Sequence, residues 1–176
     1  DDGSVSLQVA ALGPAPEHPT ERYLLRAPKQ ADFILDPSAA TIAVDATDDL
    51  ADNTLEHLLL DQAIPRLLAG RGHLVVHASI VQLRHRAIAF IGRSGWGKST
   101  LAALLHQRGF PALCDDCALL ERRGDTVYAT PSYPGLRLFA DSIDQALGSA
   151  PSAGPVSDYT DKQRIIGLAL DPQLLQ

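Results

Sequence analysis

The sequence contains few cysteines and no long run of apolar or basic residues, and each scarcity excludes a class of protein. Its two cysteines, Cys114 and Cys117, cannot complete a tetrahedral zinc site by themselves. For their C-x-x-C spacing we expect two partly buried thiols in a reducing cytosol rather than a redox pair. No stretch approaches the roughly 18 apolar residues of a transmembrane helix, and Asp1-Asp2-Gly3 does not resemble a signal peptide. We therefore expect a cytoplasmic protein without a membrane partner.

The charge balance argues against a nucleic-acid partner. The formal net charge is −6 and the longest basic run is Arg122-Arg123, whereas binding to a phosphate backbone requires a basic footprint. With 45% hydrophobic and 20% charged residues in 176, the chain is typical of a soluble globular protein. We expect a single domain spanning 1–176, with a β-rich N-terminal layer over 1–50 and a core over 51–176.

Hydrophobic periodicity and turn residues predict an α/β protein whose N-terminal strands form an antiparallel layer. A helix over 53–69, capped by Asn53 or Thr54, should kink or restart at Pro65. A second helix is expected over 98–108, a short third one over 141–147, and a mobile segment over 149–157. The predicted strands are 4–11, 21–26, 31–35, 41–45, 73–83, 87–91, 111–116, 118–122, 126–130, 135–139 and 164–170.

A glycine-rich loop follows the strand over 87–91 and precedes a helix, which is the context of a phosphate-binding loop. Its backbone N–H groups and the helix N-terminus would bind phosphate oxygens. Lys98 would reach the β- and γ-phosphates of ATP, and Ser99 would bind Mg²⁺. The ring of Trp96 would either stack on a base or peptide or only cover the loop. The expected ATP-binding residues are Gly92, Arg93, Ser94, Gly95, Trp96, Gly97, Lys98, Ser99 and Thr100.

Two adjacent acids end the strand that follows this helix. One carboxylate of Asp115-Asp116 would be a ligand of Mg²⁺, and the other would accept the proton of an attacking hydroxyl. The alternative is a solvated turn. His77 alternates with Ser79 on one face of the predicted strand over 73–83, which directly precedes the strand that leads into the loop. This position would place the imidazole beside a catalytic carboxylate. A purely structural histidine is the alternative.

Three motifs in register resemble the catalytic domain of HPr serine kinase/phosphorylase. They are Val-Val-His-Ala-Ser over 75–79, Gly-Arg-Ser-Gly-Trp-Gly-Lys-Ser-Thr over 92–100, and Cys-Asp-Asp-Cys over 114–117. The resemblance implies a P-loop fold related to phosphoenolpyruvate carboxykinases, with a mixed β-sheet and flanking helices. It also implies ATP- and Mg²⁺-dependent phosphorylation of a protein serine. By position, Asp115 resembles the acid that takes the hydroxyl proton, Asp116 its metal-side neighbour, and His77 the histidine that supports the base.

A looser match further along the chain suggests substrate-binding residues. Arg137, Lys162 and Arg164 would bind a phosphate or an acidic group of the substrate; solvated surface cations are the alternative. The family is hexameric, but the departures described next prevent a direct transfer of that state, so a homo-oligomer and a monomer both stay open.

The sequence departs from the family's pattern at three positions. Arg93 and Thr100 occupy positions where the family usually has acids, and Ala78 replaces a glycine. The chain is therefore closer in character to short HPr-kinase-like proteins of peptide-modification clusters, such as lasso-peptide precursor kinases. The expected function is a serine kinase acting on a protein or peptide. The alternatives are HPr kinase/phosphorylase proper, a small-molecule kinase and a non-catalytic ATP-binding regulatory module.

Overall fold

The computed structural model describes residues 7–132, 135–148 and 152–165. They form a mixed α/β structure whose sheets are mostly antiparallel. The chain divides into two compact units, Asp1–Leu74 with Ser157–Thr160, and Val75–Val156 with Asp161–Gln176. No helix in the described ranges is long and apolar enough to cross a membrane.

The first unit contains the β-rich layer that the sequence predicts. Four strands pair in chain order as an antiparallel sheet: β1 (Gln8–Leu12), β2 (Arg22–Ala27), β3 (Ala31–Asp36) and β4 (Thr41–Ala46). The predicted strand over 4–11 begins outside the described residues. In β3, Ala31, Phe33 and Leu35 are buried and alternate with more exposed neighbours. This period of two places one face of the sheet on a core.

The helical segment of this unit is interrupted, as Pro65 predicts. Helix α1 (Asp52–Leu58) passes into a π-helical turn over Leu59–Ala63, and helix α2 (Ile64–Gly70) starts just before the proline. Proline lacks the N–H that a continuous helix would require there. The predicted cap is wrong: Ala51 occupies the N-cap, and Thr54 is buried with its hydroxyl accepting the N–H of Asp158.

The same helical segment packs on the four-stranded sheet. Leu58, Ala63 and Leu67 share a buried cluster with residues of β2 and β3. The sequence interpretation assigned everything after residue 50 to the P-loop core, because a helical stripe does not identify the sheet that covers it. The boundary between units after Leu74 shows where that interpretation differs from the structure.

The second unit holds the predicted loop strand and its neighbours. Strands β5 (Leu74–Leu83), β6 (Arg86–Ile91), β7 (Ala112–Cys114), β8 (Cys117–Arg123) and β9 (Thr126–Pro131) form one sheet. The order is β6-β5-β8-β9, and β7 pairs with β5. Leu74, the first residue of β5, belongs to the first unit. Strand β6, which leads into the glycine-rich loop, therefore lies at one edge of this sheet.

Two helices and a small sheet complete the second unit. Helix α3 (Lys98–Gln107) follows the loop, and helix α4 (Ala140–Leu147) follows strand β10 (Leu136–Leu138). The order of the small sheet is β10-β12-β11, with β11 over Ser152–Ser157 and β12 over Thr160–Ile165.

Two details of this unit were not predicted from the sequence. Residues 152–157, predicted to be mobile, form β11 because they pair with β12; residues 149–151 and 166–170 lie outside the described part. Helix α3 buries the small residues Ala102 and Ala103, whereas the larger Leu101 is exposed. Small residues are buried on this face because it packs closely on β7 and β10.

Candidate functional site

The glycine-rich loop runs from the end of β6 to the start of α3. Gly95 and Gly97 both have φ of 79°, a left-handed conformation that a side chain disfavours. Gly97 is also the N-cap of α3, and its carbonyl accepts the N–H of Leu101. The loop therefore has the local geometry in which backbone N–H groups and a helix N-terminus bind an anion.

Lys98 is the first residue of α3, and its side chain reaches back across the glycine-rich loop. Its ammonium donates to the carbonyls of Gly92 and Arg93, both at 3.0 Å. An ammonium has three N–H donors, so these two bonds hold the charge at the mouth of the loop and leave a donor for a phosphate oxygen.

The ring of Trp96 covers the loop. A β-carbon built on Gly92 would lie 3.4 Å from Cε3 of Trp96, and the indole is otherwise 72% exposed. Trp96 does not line the cavity described below. Of the two roles left open by the sequence, this geometry favours covering the loop.

Both acids face the same region because the chain bends sharply at Asp116. Consecutive side chains of a strand point to opposite faces, but Asp116 has φ of 97° between the end of β7 and the start of β8. Such a conformation is uncommon for a residue with a side chain. The carbonyl of Asp116 accepts the N–H of Ala78 at 3.0 Å, which ties the bend to β5.

Asp115 is buried directly against the glycine-rich loop. Its Oδ1 accepts hydrogen bonds from the hydroxyls of Ser79 and, at 2.9 Å, Ser99, while Oδ2 accepts the backbone N–H of Arg137 at 3.0 Å. Burial, followed by the negative charge of Asp116, raises the pKa of the Asp115 carboxyl, and the three hydrogen bonds oppose that shift. The side chain is 1% exposed, so it has no room for direct contact with a bulky substrate.

Asp116 faces the open side of the same region. Its Oδ2 accepts a hydrogen bond from Arg137 Nη1 at 2.8 Å, and its Oδ1 lies 3.7 Å from His77 Nδ1. The second distance is an ion-pair distance and too long for a hydrogen bond. The His77 side chain is 53% exposed, so the imidazole can approach a bound molecule.

A cavity of about 160 Å³ joins the loop, Asp116 and helix α4. A cavity of about 220 Å³ in the other unit, among residues 26–32 and 45–47, contains none of these groups. Because the smaller cavity contains both phosphate-binding and acidic groups, it is the candidate site. The residues that line it are His77, Ser94, Gly95, Gly97, Lys98, Ser99, Thr100, Asp116, Arg137, Leu138, Phe139, Ser142 and Lys162.

The three predicted substrate-binding cations have different positions. Lys162 lines the cavity, with Nζ 5.5 Å from the ring centroid of Phe139. Arg137 also lines it, but its guanidinium is 1% exposed and paired with Asp116, which makes it a support for the acid. Arg164 is the cross-strand neighbour of Arg137 and is not among the residues that line the cavity.

Three residues of the site were missed or undervalued at the sequence level. Ser79 binds Asp115, and its alternation with His77 was the signal, since both side chains face the acids. Phe139 and Ser142 line the cavity, and the Ser142 hydroxyl lies 3.1 Å from that of Thr100. Neither belongs to a recognisable motif, because only the packing of α4 beside α3 brings them to the loop.

Within the described ranges, no group of three or more His, Cys, Asp or Glu residues is arranged to bind a metal ion. Mg²⁺ at phosphate sites typically takes only one or two protein ligands and completes its shell with phosphate and water oxygens. The Ser99 hydroxyl and the nearby carboxylates supply hard oxygen atoms of this kind. The donor set therefore fits Mg²⁺ bound together with a nucleotide.

The two cysteines flank the acids, and both are buried. Burial raises the pKa of the Cys114 thiol to about 12, so a reactive thiolate is disfavoured there.

Comparison with known proteins found no family model, curated protein or solved structure that matches this chain.

Proposed function

We propose that the protein is an ATP- and Mg²⁺-dependent kinase that phosphorylates a serine hydroxyl of a protein or peptide. One observation carries the proposal. The buried Asp115 carboxylate accepts a hydrogen bond from the loop residue Ser99, while the adjacent Asp116 lines the same cavity as the loop. A phosphate-binding loop and a carboxylate that can reach a hydroxyl are the two parts that phosphoryl transfer requires.

The geometry supports an exchange of the roles that the resemblance implies for the two acids. Asp115 bonds to Ser99 and is buried, which suits orientation of the Ser99 hydroxyl toward Mg²⁺. Asp116 lines the cavity beside the exposed His77, which suits the proton acceptor. Mg²⁺ would neutralise charge on the transferring phosphate.

Transfer then consists of one displacement at phosphorus. The serine oxygen of the acceptor forms a bond to the γ-phosphorus, and the bond from that phosphorus to the bridging oxygen of ADP breaks. The hydroxyl proton passes to Asp116, and ADP keeps the bonding electron pair. The Lys98 ammonium, held at the loop mouth, stabilises the developing negative charge.

Asp116→Asn tests this function most directly. The variant should bind MgATP like the parent protein but transfer phosphate at least about a hundredfold more slowly, since general-base catalysis contributes roughly 10²–10⁴-fold. Lys98→Ala should weaken both binding and transfer. The measurements are calorimetric titration with MgATP and mass spectrometry of serine peptides, starting with precursor peptides of peptide-modification clusters.

Asp125→Asn is the matched control, because Asp125 lies in the exposed hairpin turn between β8 and β9. It should change neither binding nor transfer. Normal transfer by Asp116→Asn would remove Asp116 as the base. A parent protein that does not bind MgATP would refute the whole proposal.

A second candidate is a regulatory module that binds ATP without transferring phosphate. The surroundings of Asp116 favour this module, because each carboxylate oxygen already faces a basic side chain, Arg137 or His77. A carboxylate with such partners is a weaker proton acceptor. This module would bind MgATP with the same residues and show no transfer to any serine peptide in the panel.

A further inference from the structure

Phe139 provides a ring at the edge of the candidate site. It directly follows β10, is the N-cap of α4, lines the cavity and is 49% exposed. Among the described residues that line the cavity, it is the only phenyl, phenol or indole ring. A large apolar ring that remains half exposed beside the cavity offers a surface for another planar group.

The direction of the chain locates Phe139 within the cavity. Arg137 contacts both acids, and an extended chain advances about 7 Å over the two residues from there to Phe139. Three residues further on, the Ser142 hydroxyl lies 3.1 Å from that of Thr100, in the first turn of α3. Phe139 therefore lies on the path from the acids toward the start of α3.

A bound triphosphate would lie along this path, with its γ-phosphate near Asp116 and its nucleoside at the opposite end. Phosphoryl transfer requires the γ-phosphate to lie next to the acid that receives the proton, so the nucleoside must lie away from Asp116. Thr100 and Ser142 mark the region of the cavity that Phe139 adjoins. The Lys162 ammonium lies over the Phe139 ring, 5.5 Å from its centroid, so a base would stack on the part of the ring that remains exposed. At that position the positive charge would also favour phosphates close to the nucleoside.

We propose that Phe139 binds the nucleobase of ATP by stacking and that Lys162 supplies a cation at the same end of the site. The ligand class is a purine nucleoside triphosphate, and the inference rests on the proposed function. Stacking of a base on an aromatic side chain contributes roughly 1–3 kcal/mol, which corresponds to about a 5- to 150-fold change in the dissociation constant.

The test compares MgATP with Mg-tripolyphosphate, which has the phosphates but no base. In calorimetric titrations, Phe139→Ala and Phe139→Leu should weaken MgATP binding about 5- to 150-fold and change tripolyphosphate binding less than about twofold. Phe139→Tyr should retain the parent affinity for both. The leucine variant keeps apolar bulk without a ring, so a loss shared with alanine points to stacking rather than to a packing defect. Circular dichroism checks the fold of each variant.

Tyr128→Ala is the control, because Tyr128 is a similarly exposed ring on β9 that does not line the cavity; it should leave the MgATP affinity unchanged. Equal loss of ATP and tripolyphosphate binding in the Phe139 variants would overturn the inference, as would unchanged ATP binding. A raised KM for the acceptor peptide with unchanged ATP affinity would assign the ring to the acceptor and overturn it too. If the parent protein binds no MgATP, the proposed function fails along with the inference; otherwise the inference alone is judged.

Discussion

Arg137→Met is the most informative perturbation of the site, because it removes a buried charge and keeps most of the packing volume. The Arg137 side chain is 1% exposed, and it pairs at 2.8 Å with Asp116, whose side chain is 12% exposed. Methionine would leave the Asp116 carboxylate without this partner and next to the buried Asp115. Breaking a buried ion pair on one side costs about 3–5 kcal/mol.

We expect a loss near the lower end, about 3 kcal/mol, because Asp116 lines a cavity and would be partly hydrated after the change. For a chain of this size such a loss lowers Tm by about 6–12 °C. Urea denaturation followed by circular dichroism measures the free energy of unfolding, provided that the transition that reports the second unit is fitted separately.

The double variant Arg137→Met/Asp116→Asn identifies the cause. Without the Asp116 charge, the additional cost of removing Arg137 should fall below about 1 kcal/mol, since no unpaired carboxylate remains. Arg122→Met is the control, because its pair with Asp125 is exposed and 3.7 Å long, and it should cost less than about 0.5 kcal/mol. A loss from Arg137→Met alone of under 1 kcal/mol, or an equal loss with and without the Asp116 charge, would refute the reasoning.

Two further predictions concern the loop and the buried acid. Gly97→Ala should lower the free energy of unfolding by about 1–3 kcal/mol, because alanine would have to adopt φ of 79°. A steric clash does not contribute, since no neighbour lies within 4 Å of the added β-carbon. The control is Gly13→Ala, which is in open space and has no positive φ; it should cost less than about 0.5 kcal/mol. For Asp115 the raised native pKa means that the folded state disfavours the charged form, so its contribution to stability is lost as pH rises from about 4 through that pKa. The difference in unfolding free energy between Asp115→Asn and the parent should therefore shift in favour of the variant between pH 4 and pH 7, and a pH-independent difference would contradict the assignment.

Short-range patterns predicted most of the elements and the glycine-rich loop. The alternation of apolar residues and the proline and glycine turns identified the strands of the N-terminal sheet, since a period of two depends only on neighbouring residues. The loop was equally clear, because the glycines, Lys98 and Ser99 are contiguous. The position of His77 on the same strand face as Ser79 also followed from alternation alone.

The assignment of elements to units depended on long-range packing. The helical stripe over 53–69 predicted a buried face, but only the tertiary structure shows that it packs on the first sheet. Residues 152–157 have the composition of a loop, yet they form a strand because β12 offers a pairing edge.

The sequence by itself determined that a glycine-rich loop and a pair of adjacent acids exist in this chain, because each is encoded in a few adjacent residues. Only the tertiary structure decided which acid faces the cavity, since that depends on the left-handed backbone of Asp116 and on its anchor to Ala78. The same holds for the pairing of Arg137 with Asp116 and for the place of Phe139 in the cavity. These contacts join residues about 20 to 40 positions apart in the chain, and no local pattern records them.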